Sequence, residues 1–139
     1  MMDGYEWQGS LMKALAHPAR LQILEVLRSD GECCVCHIEN IMGQRQAYIS
    51  QQLSRLREAG LVVDRREGLN VFYSLVDESI SQLLEVTRQS ATDLASFNGV
   101  QLSFRQLEHE ESCPCTCPNC GVQDEAHAGR TSQELSQVT

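Results

Sequence analysis

A chain of 139 residues, 42% hydrophobic and 22% charged, is long enough for one compact domain with a modest core and a tail. Asp3 and Glu6 stand where a secretory signal would carry basic residues, and no run approaches the roughly 18 apolar residues a bilayer demands, so the expectation is a cytoplasmic protein with no membrane contact. The net charge of −8 would disfavour nucleic acid, but it is unevenly spread: residues 1–76 carry eight Lys/Arg against nine Asp/Glu, residues 77–139 three against ten, and the span 45–66 alone is positive.

The first expected helix runs from Tyr5 to Leu15, with Trp7, Leu11 and Leu15 four residues apart. Pro18 fits the first turn of a second helix over 18–28, with His17 as its cap or flank, and Leu21, Leu24 and Leu27 form an apolar stripe widened by Ile23 and Val26. After the turn at Ser29-Asp30-Gly31, a short third helix over about 34–42 carries Val35, Ile38, Ile41 and Met42, and Gly43 ends it. A fourth helix, about 45–59, turns Ile49, Leu53 and Leu56 inward and stops at Gly60. The period then changes: Leu61 to Arg66 and Asn70 to Val76 predict two strands joined through Glu67-Gly68-Leu69. From Asp77 to about Phe97 helical spacing returns, and Phe104 with Leu107 allow one further helical stretch. Beyond about 112 the chain is rich in Ser, Thr, Gln, Pro and Gly, and disorder is expected there without a ligand. The division is thus a domain over 1–97 and an acidic, cysteine-containing tail over 98–139.

Two short helices joined through a glycine and followed by a ribbon make a winged helix-turn-helix, mainly α with a small β-hairpin. Its second helix can enter a DNA major groove while the ribbon tip lies near phosphates. With Ile49, Leu53 and Leu56 inward, the opposite face presents Gln46, Ser50, Gln51, Ser54 and Arg55, and Arg65, Arg66 and Asn70 flank the wing. A merely solvated helix carries Glu and Lys more often than these compact donors and acceptors, so the series favours double-stranded DNA as a partner.

The cysteines are the second signal. Seven, an odd number, make a poor disulfide framework. Cys33, Cys34 and Cys36, followed by His37, lie at the start of the third helix, where its N-terminus favours thiolates. Single cysteines are often buried filler; three in four positions point to a site for a soft ion such as As(III), Sb(III), Cd(II), Pb(II), Zn(II) or Cu(I). His37 alone reads either as a ligand or as an exposed helix residue. In a regular helix, residues i and i+2 are about 200° apart, so chelation by Cys34 and Cys36 predicts that the first helical turn loosens. Cys113, Cys115, Cys117 and Cys120 form a Cys-x-Cys-x-Cys-x-x-Cys run without apolar neighbours, ending in the spacing of a metal knuckle. They could complete the first site, in cis or in trans, or hold an ion separately. His109 and His127 are auxiliary candidates, and His17 has no metal role. Trp7 with Tyr5 fits an interface better than a base.

The runs Leu15-Ala16-His17-Pro18-Ala19-Arg20-Leu21-Gln22-Ile23-Leu24, Glu32-Cys33-Cys34-Val35-Cys36, Ile49 to Val62, and Arg66-Glu67-Gly68 to Tyr73 resemble the ArsR/SmtB family of bacterial metal-sensing repressors over about residues 5–97. The resemblance implies a homodimer held by its first and last helices, and a repressor that leaves its operator when an ion binds. It places Cys34 and Cys36 on the two liganding positions of the family pattern Glu-Leu-Cys-Val-Cys-Asp-Leu, with Cys33 replacing the leucine and His37 the aspartate. Three departures narrow the chemistry. The third cysteine of some arsenic sensors would fall at Glu39, Asp77 to Phe97 lacks the histidines of the zinc branch, and no cysteine precedes Cys33. A redox or persulfide-responsive repressor on the same cysteines is the alternative. An enzyme is disfavoured, since no Cys-x-x-Cys in a βαβ context, no Ser/His/Asp set and no phosphate-cradling glycine pattern occurs.

Overall fold

The structure, a computed structural model, describes residues 1–107; the expectations placed on the later residues, the four tail cysteines and the metal knuckle among them, lie outside the described residues. Five helices and three short strands follow in the order α1 (Gly4–Leu15), α2 (Pro18–Asp30), β1 (Cys33–Cys34), α3 (Val35–Met42), α4 (Gln46–Glu58), β2 (Val62–Glu67), β3 (Asn70–Leu75) and α5 (Glu78–Phe97).

Local chemistry sets the boundaries. Asp3 caps α1 by accepting from the Tyr5 backbone N–H, and Asp77 caps α5 by accepting from that of Ser79. His17 takes the same position ahead of Pro18, its Nδ1 accepting from the Ala19 N–H at 3.2 Å. At the end of α4, Gly60 at φ +80° lets its own N–H reach Arg57 O and that of Leu61 reach Leu56 O, the paired bonds of a Schellman stop.

The core forms where α2, α3 and α4 meet the sheet. Ile23, Leu24, Ile38, Ile49, Leu53 and Leu56 are fully buried, and Leu15, Ile80 and Leu84 join α1 and α5 to the same cluster. The expected inward face of α4 is therefore the observed one, with Gln52 added to it as a buried polar residue.

Three differences from the sequence expectation have physical causes. Cys33 and Cys34, expected at the edge of a helix, form a strand that pairs antiparallel with β3, Cys33 opposite Tyr73 and Cys34 opposite Phe72, so the hairpin becomes a sheet of order β1-β3-β2. Two residues carry no readable alternation, and only the partner strand reveals them. Residues 100–107 are not helical; instead Leu107 packs on the core, Arg88 lies over the Phe104 ring at 4.2 Å, and Arg105 donates to Ile41 O at 3.0 Å. Leu21, expected in the buried stripe, is half-exposed beside this segment, in a 460 Å³ cavity lined also by Met12, Leu84 and Phe104.

Leu53, with no exposed surface, makes the dependence on this core measurable. Leu53→Ala is expected to lower the unfolding free energy by about 2–5 kcal/mol. Urea denaturation at fixed protein concentration checks this; a loss well under 1 kcal/mol would show that the site collapses without a cavity.

Candidate metal centre and nucleic-acid interface

The thiol strand is short, but its two side chains go to different places. Successive residues of a strand point to opposite faces. Cys33 enters the main core cluster, whereas Cys34 packs with Phe72 and Cys36 in a separate small one. Burial pushes the Cys33 thiol well above its ordinary pKa, and the nearby Asp30, Cys34 and Glu32 add to that; its Sγ lies 3.2 Å from Gly31 O. The structure thus brings Cys34 and Cys36 together and sets Cys33 apart from them.

Cys34 and Cys36 meet without any unwinding of the helix. Cys34 is the N-cap of α3, at φ −81° and ψ 165°, and the helix begins only at Val35. The extended residue carries its side chain back over the first turn, and the two sulfurs lie 2.8 Å apart. The expectation that the first turn must loosen is corrected here: the 200° separation holds within a helix, and Cys34 lies outside it. Two sulfurs within reach of one another form a soft donor pair of the type that suits a thiophilic ion, which at thiolate bond lengths of about 2.3 Å would hold them somewhat further apart.

His37, which could have been an exposed helix residue, is not solvent-exposed. It is buried, with Nε2 at 2.8 Å from Asp30 Oδ2. Together with Cys33 these residues place a carboxylate, a thiol and an imidazole within 4.8 Å of one another. Asp30 was not a candidate in the sequence, because nothing in a turn aspartate marks its partner on the next helix.

The sheet connects the thiols to the wing. Cys34 pairs with Phe72 on β3, and Phe72 with Arg65 on β2, so the three side chains form one cross-strand row. The Arg65 guanidinium stands 5.0 Å over the Phe72 ring. It also donates to Glu32, at 2.5 Å from Nη2 to Oε1, and to Glu67 at 2.8 Å. The Arg65 hydrogen bond holds the Glu32 carboxyl below its ordinary pKa, and the two carboxylates raise that of Arg65. Arg65, expected to flank the wing as a DNA contact, is thus engaged with the residue immediately before the thiol strand. Glu32 had no such signal in the sequence, being 33 positions away.

The remaining candidate DNA residues lie on α4 and on the wing. Gln46, Gln51 and Arg55 are exposed on α4, and Ser50 and Ser54 are half-buried beside them. On the wing Arg66 is exposed and Asn70 half-buried at the start of β3, opposite Glu67. Arg57, not among the candidates, bonds Asp64 at 3.2 Å. Elsewhere Tyr5, Trp7 and Met12 on α1 and Val86, Leu94 and Phe97 on α5 are exposed large apolar side chains. No described helix is long and apolar enough to cross a membrane.

Comparison with known proteins agrees with this architecture. Residues 17–63 match the family model of bacterial regulatory proteins of the arsR family. A cadmium resistance transcriptional regulatory protein CadC homolog of Staphylococcus aureus is 38% identical over 86 residues, spanning 62% of this chain and 71% of that protein. The crystal structure of Mycobacterium tuberculosis Rv0081 superposes with a TM-score of 0.64 at 34% identity, covering 72% of this chain and all of that one. The solution structure of a homodimeric winged helix-turn-helix DNA-binding domain from Mycobacterium bovis gives 0.60 at 28% identity, covering 78% and 97%. The winged fold, the matched helix-turn-helix and a relative covered over most of its length together show that this chain is a transcriptional regulator of the arsR family.

Proposed function

We propose that the protein is a metal(loid)-responsive repressor that binds operator DNA as a homodimer and releases it when a thiophilic ion, As(III) or Sb(III), or Cd(II) or Pb(II), is held by Cys34 and Cys36. The observation that carries this reading is the 2.8 Å approach of the two sulfurs at the point where β1 ends and α3 begins. The cadmium-resistance regulator among the relatives supports it.

The residues around the sulfurs supply a route to the DNA-reading surface. Cys34 belongs to β1, which is hydrogen-bonded to wing strand β3, and Cys36 belongs to α3, which packs against α4. A change in sulfur position therefore acts on the wing through the Cys34–Phe72–Arg65 row and on the groove-entering helix through α3. Coupling between two such sites is typically worth about 1–3 kcal/mol, a 5- to 150-fold change in affinity. Base edges would be read by Gln46, Ser50, Gln51, Ser54 and Arg55, with Arg66 and Asn70 at the wing and Arg65 available to phosphate once it leaves Glu32. The exposed apolar side chains of α1 and α5 would close the dimer, and two copies would address half-sites about one helical turn apart.

The tail cysteines Cys113, Cys115, Cys117 and Cys120 would complete the thiolate set in cis. Arg105 is tied to Ile41 O near the end of α3, a helix of eight residues and so about 12 Å long. Five residues separate Leu107 from Cys113, and the six Cα–Cα steps they span reach about 20 Å when extended. The close sulfurs also favour a second reading, in which the redox state of these cysteines sets operator affinity, an external oxidant or persulfide accepting the two electrons and two protons released as an S–S bond forms.

Three outcomes test these proposals. Replacing Cys34 and Cys36 by Ser is expected to preserve operator binding, by fluorescence anisotropy, and to abolish release by As(III) or Cd(II) under reducing conditions. Full release by the double variant would place the sensor elsewhere, and release of the natural chain only with oxidant would favour the redox reading. Replacing Ser54 and Arg55 by Ala should weaken operator binding by about 5- to 150-fold, or about 1–3 kcal/mol, with unchanged ion stoichiometry; unaltered affinity would refute the assigned face of α4. Removal of residues 112–139 should weaken ion binding at least tenfold while leaving operator affinity in place, and unchanged ion affinity would exclude the tail from the site.

A further inference from the structure

A second set of donor atoms lies across β1 from Cys34. Asp30 ends α2, Cys33 opens β1 and His37 sits in the first turn of α3. Their carboxylate oxygen, thiol sulfur and imidazole nitrogen all fall within 4.8 Å of one another. Cys33 and His37 are each 3% exposed, and the Asp30 side chain, 27% exposed, opens the group to solvent. The cluster is therefore walled on the protein side and reachable from outside.

We propose that Asp30, Cys33 and His37 form a second metal site, for a borderline dication such as Zn(II), separate from the thiolate pair of Cys34 and Cys36. The donors argue for the class of ion. One sulfur, one nitrogen and one oxygen match the ligands that zinc takes in four-coordinate sites, and three protein ligands leave the fourth position for water. As(III), which favours several soft donors, would find only one here. Charge argues the same way: a dication with a thiolate, a carboxylate and a neutral imidazole sums to zero, so no net charge is placed against the core.

The same atoms also meet protein partners, His37 Nε2 lying 2.8 Å from Asp30 Oδ2 and Cys33 Sγ 3.2 Å from Gly31 O. Binding would replace both contacts. The Cys33 thiol gives its proton to solvent, the imidazole binds through a ring nitrogen, and no oxidation is involved. The ion would pin the end of α2 to the start of α3 and so hold the strand between them, on which Cys34 depends. The site does not require the soft-ion reading of Cys34 and Cys36, since the two share no ligand.

Cobalt(II) is the probe, added to the full chain in which Cys34, Cys36, Cys113, Cys115, Cys117 and Cys120 are replaced by Ser, leaving Cys33 as the one thiol. The expected result is one Co(II) per subunit with a thiolate-to-metal band in the near ultraviolet and the visible bands of a four-coordinate ion, displaced by Zn(II). His37→Gln and Asp30→Asn should each weaken Co(II) binding at least tenfold, with circular dichroism confirming the fold. A folded Cys33-only chain without the thiolate band, or with affinity unaltered in both variants, overturns the proposal. Should the multiple replacement fail to fold, Zn(II) stoichiometry of the otherwise natural chain decides: loss of one ion per subunit in Asp30→Asn supports the site, and an unchanged count overturns it. Release of operator by As(III) or Cd(II) is a separate measurement, so this site can fail while the sensing role of Cys34 and Cys36 stands.

Discussion

The antiparallel pairing of Cys33 with Tyr73 and Cys34 with Phe72 is the constraint from which the rest of the site follows. Without it, residues 33 and 34 would continue the turn after α2 or join α3. The pairing draws Cys34 into extended backbone and so makes it the cap, rather than a member, of the following helix. That one change of conformation brings its sulfur over Cys36. It also ties the thiol strand to the wing by backbone hydrogen bonds, which are stiff and short-range.

The same pairing sorts the thiols by face. Strand alternation sends Cys33 into the main core, toward Asp30 and His37, and Cys34 toward Phe72 and Cys36. Neighbours in sequence thereby acquire different environments: one thiol is enclosed by the core and held neutral by burial, while the other shares its surroundings with a second sulfur. Adjacent donors need not share surroundings: the pattern Cys-Cys-x-Cys-His places its side chains in two separate groups, Cys34 with Cys36 and Cys33 with His37.

Charge adds a second connection between the thiol strand and the wing. Arg65 lies over Phe72 and bonds both Glu32 and Glu67, so a cation on the wing hairpin is neutralised by carboxylates, one of them directly before Cys33. These side chains are partly exposed, and such pairs contribute little to stability in water. Their significance is positional: what frees or holds Arg65 changes the local field that a phosphate backbone would meet.

Much of this was legible in the chain itself. Helical spacing in α2, α4 and α5, the stops at Gly43 and Gly60, and the switch to alternating residues before the wing are local signals that depend on a few neighbouring residues, and they determined the winged helix-turn-helix and the inward face of α4. The cysteine cluster was visible by composition alone, and the sequence reading of it as a soft-ion site is the basis of the proposed function. Contacts between distant segments were decided by the tertiary structure: the two-residue strand made by its partner forty positions on, the burial of His37 against Asp30, the union of Arg65 with Glu32, and the packing of Leu107 without a helix. The physical reason is that periodicity reports only which face of an element is apolar. Which elements that face meets, and which polar atoms are trapped or paired when it does, is settled when the sheet and helices close on one core.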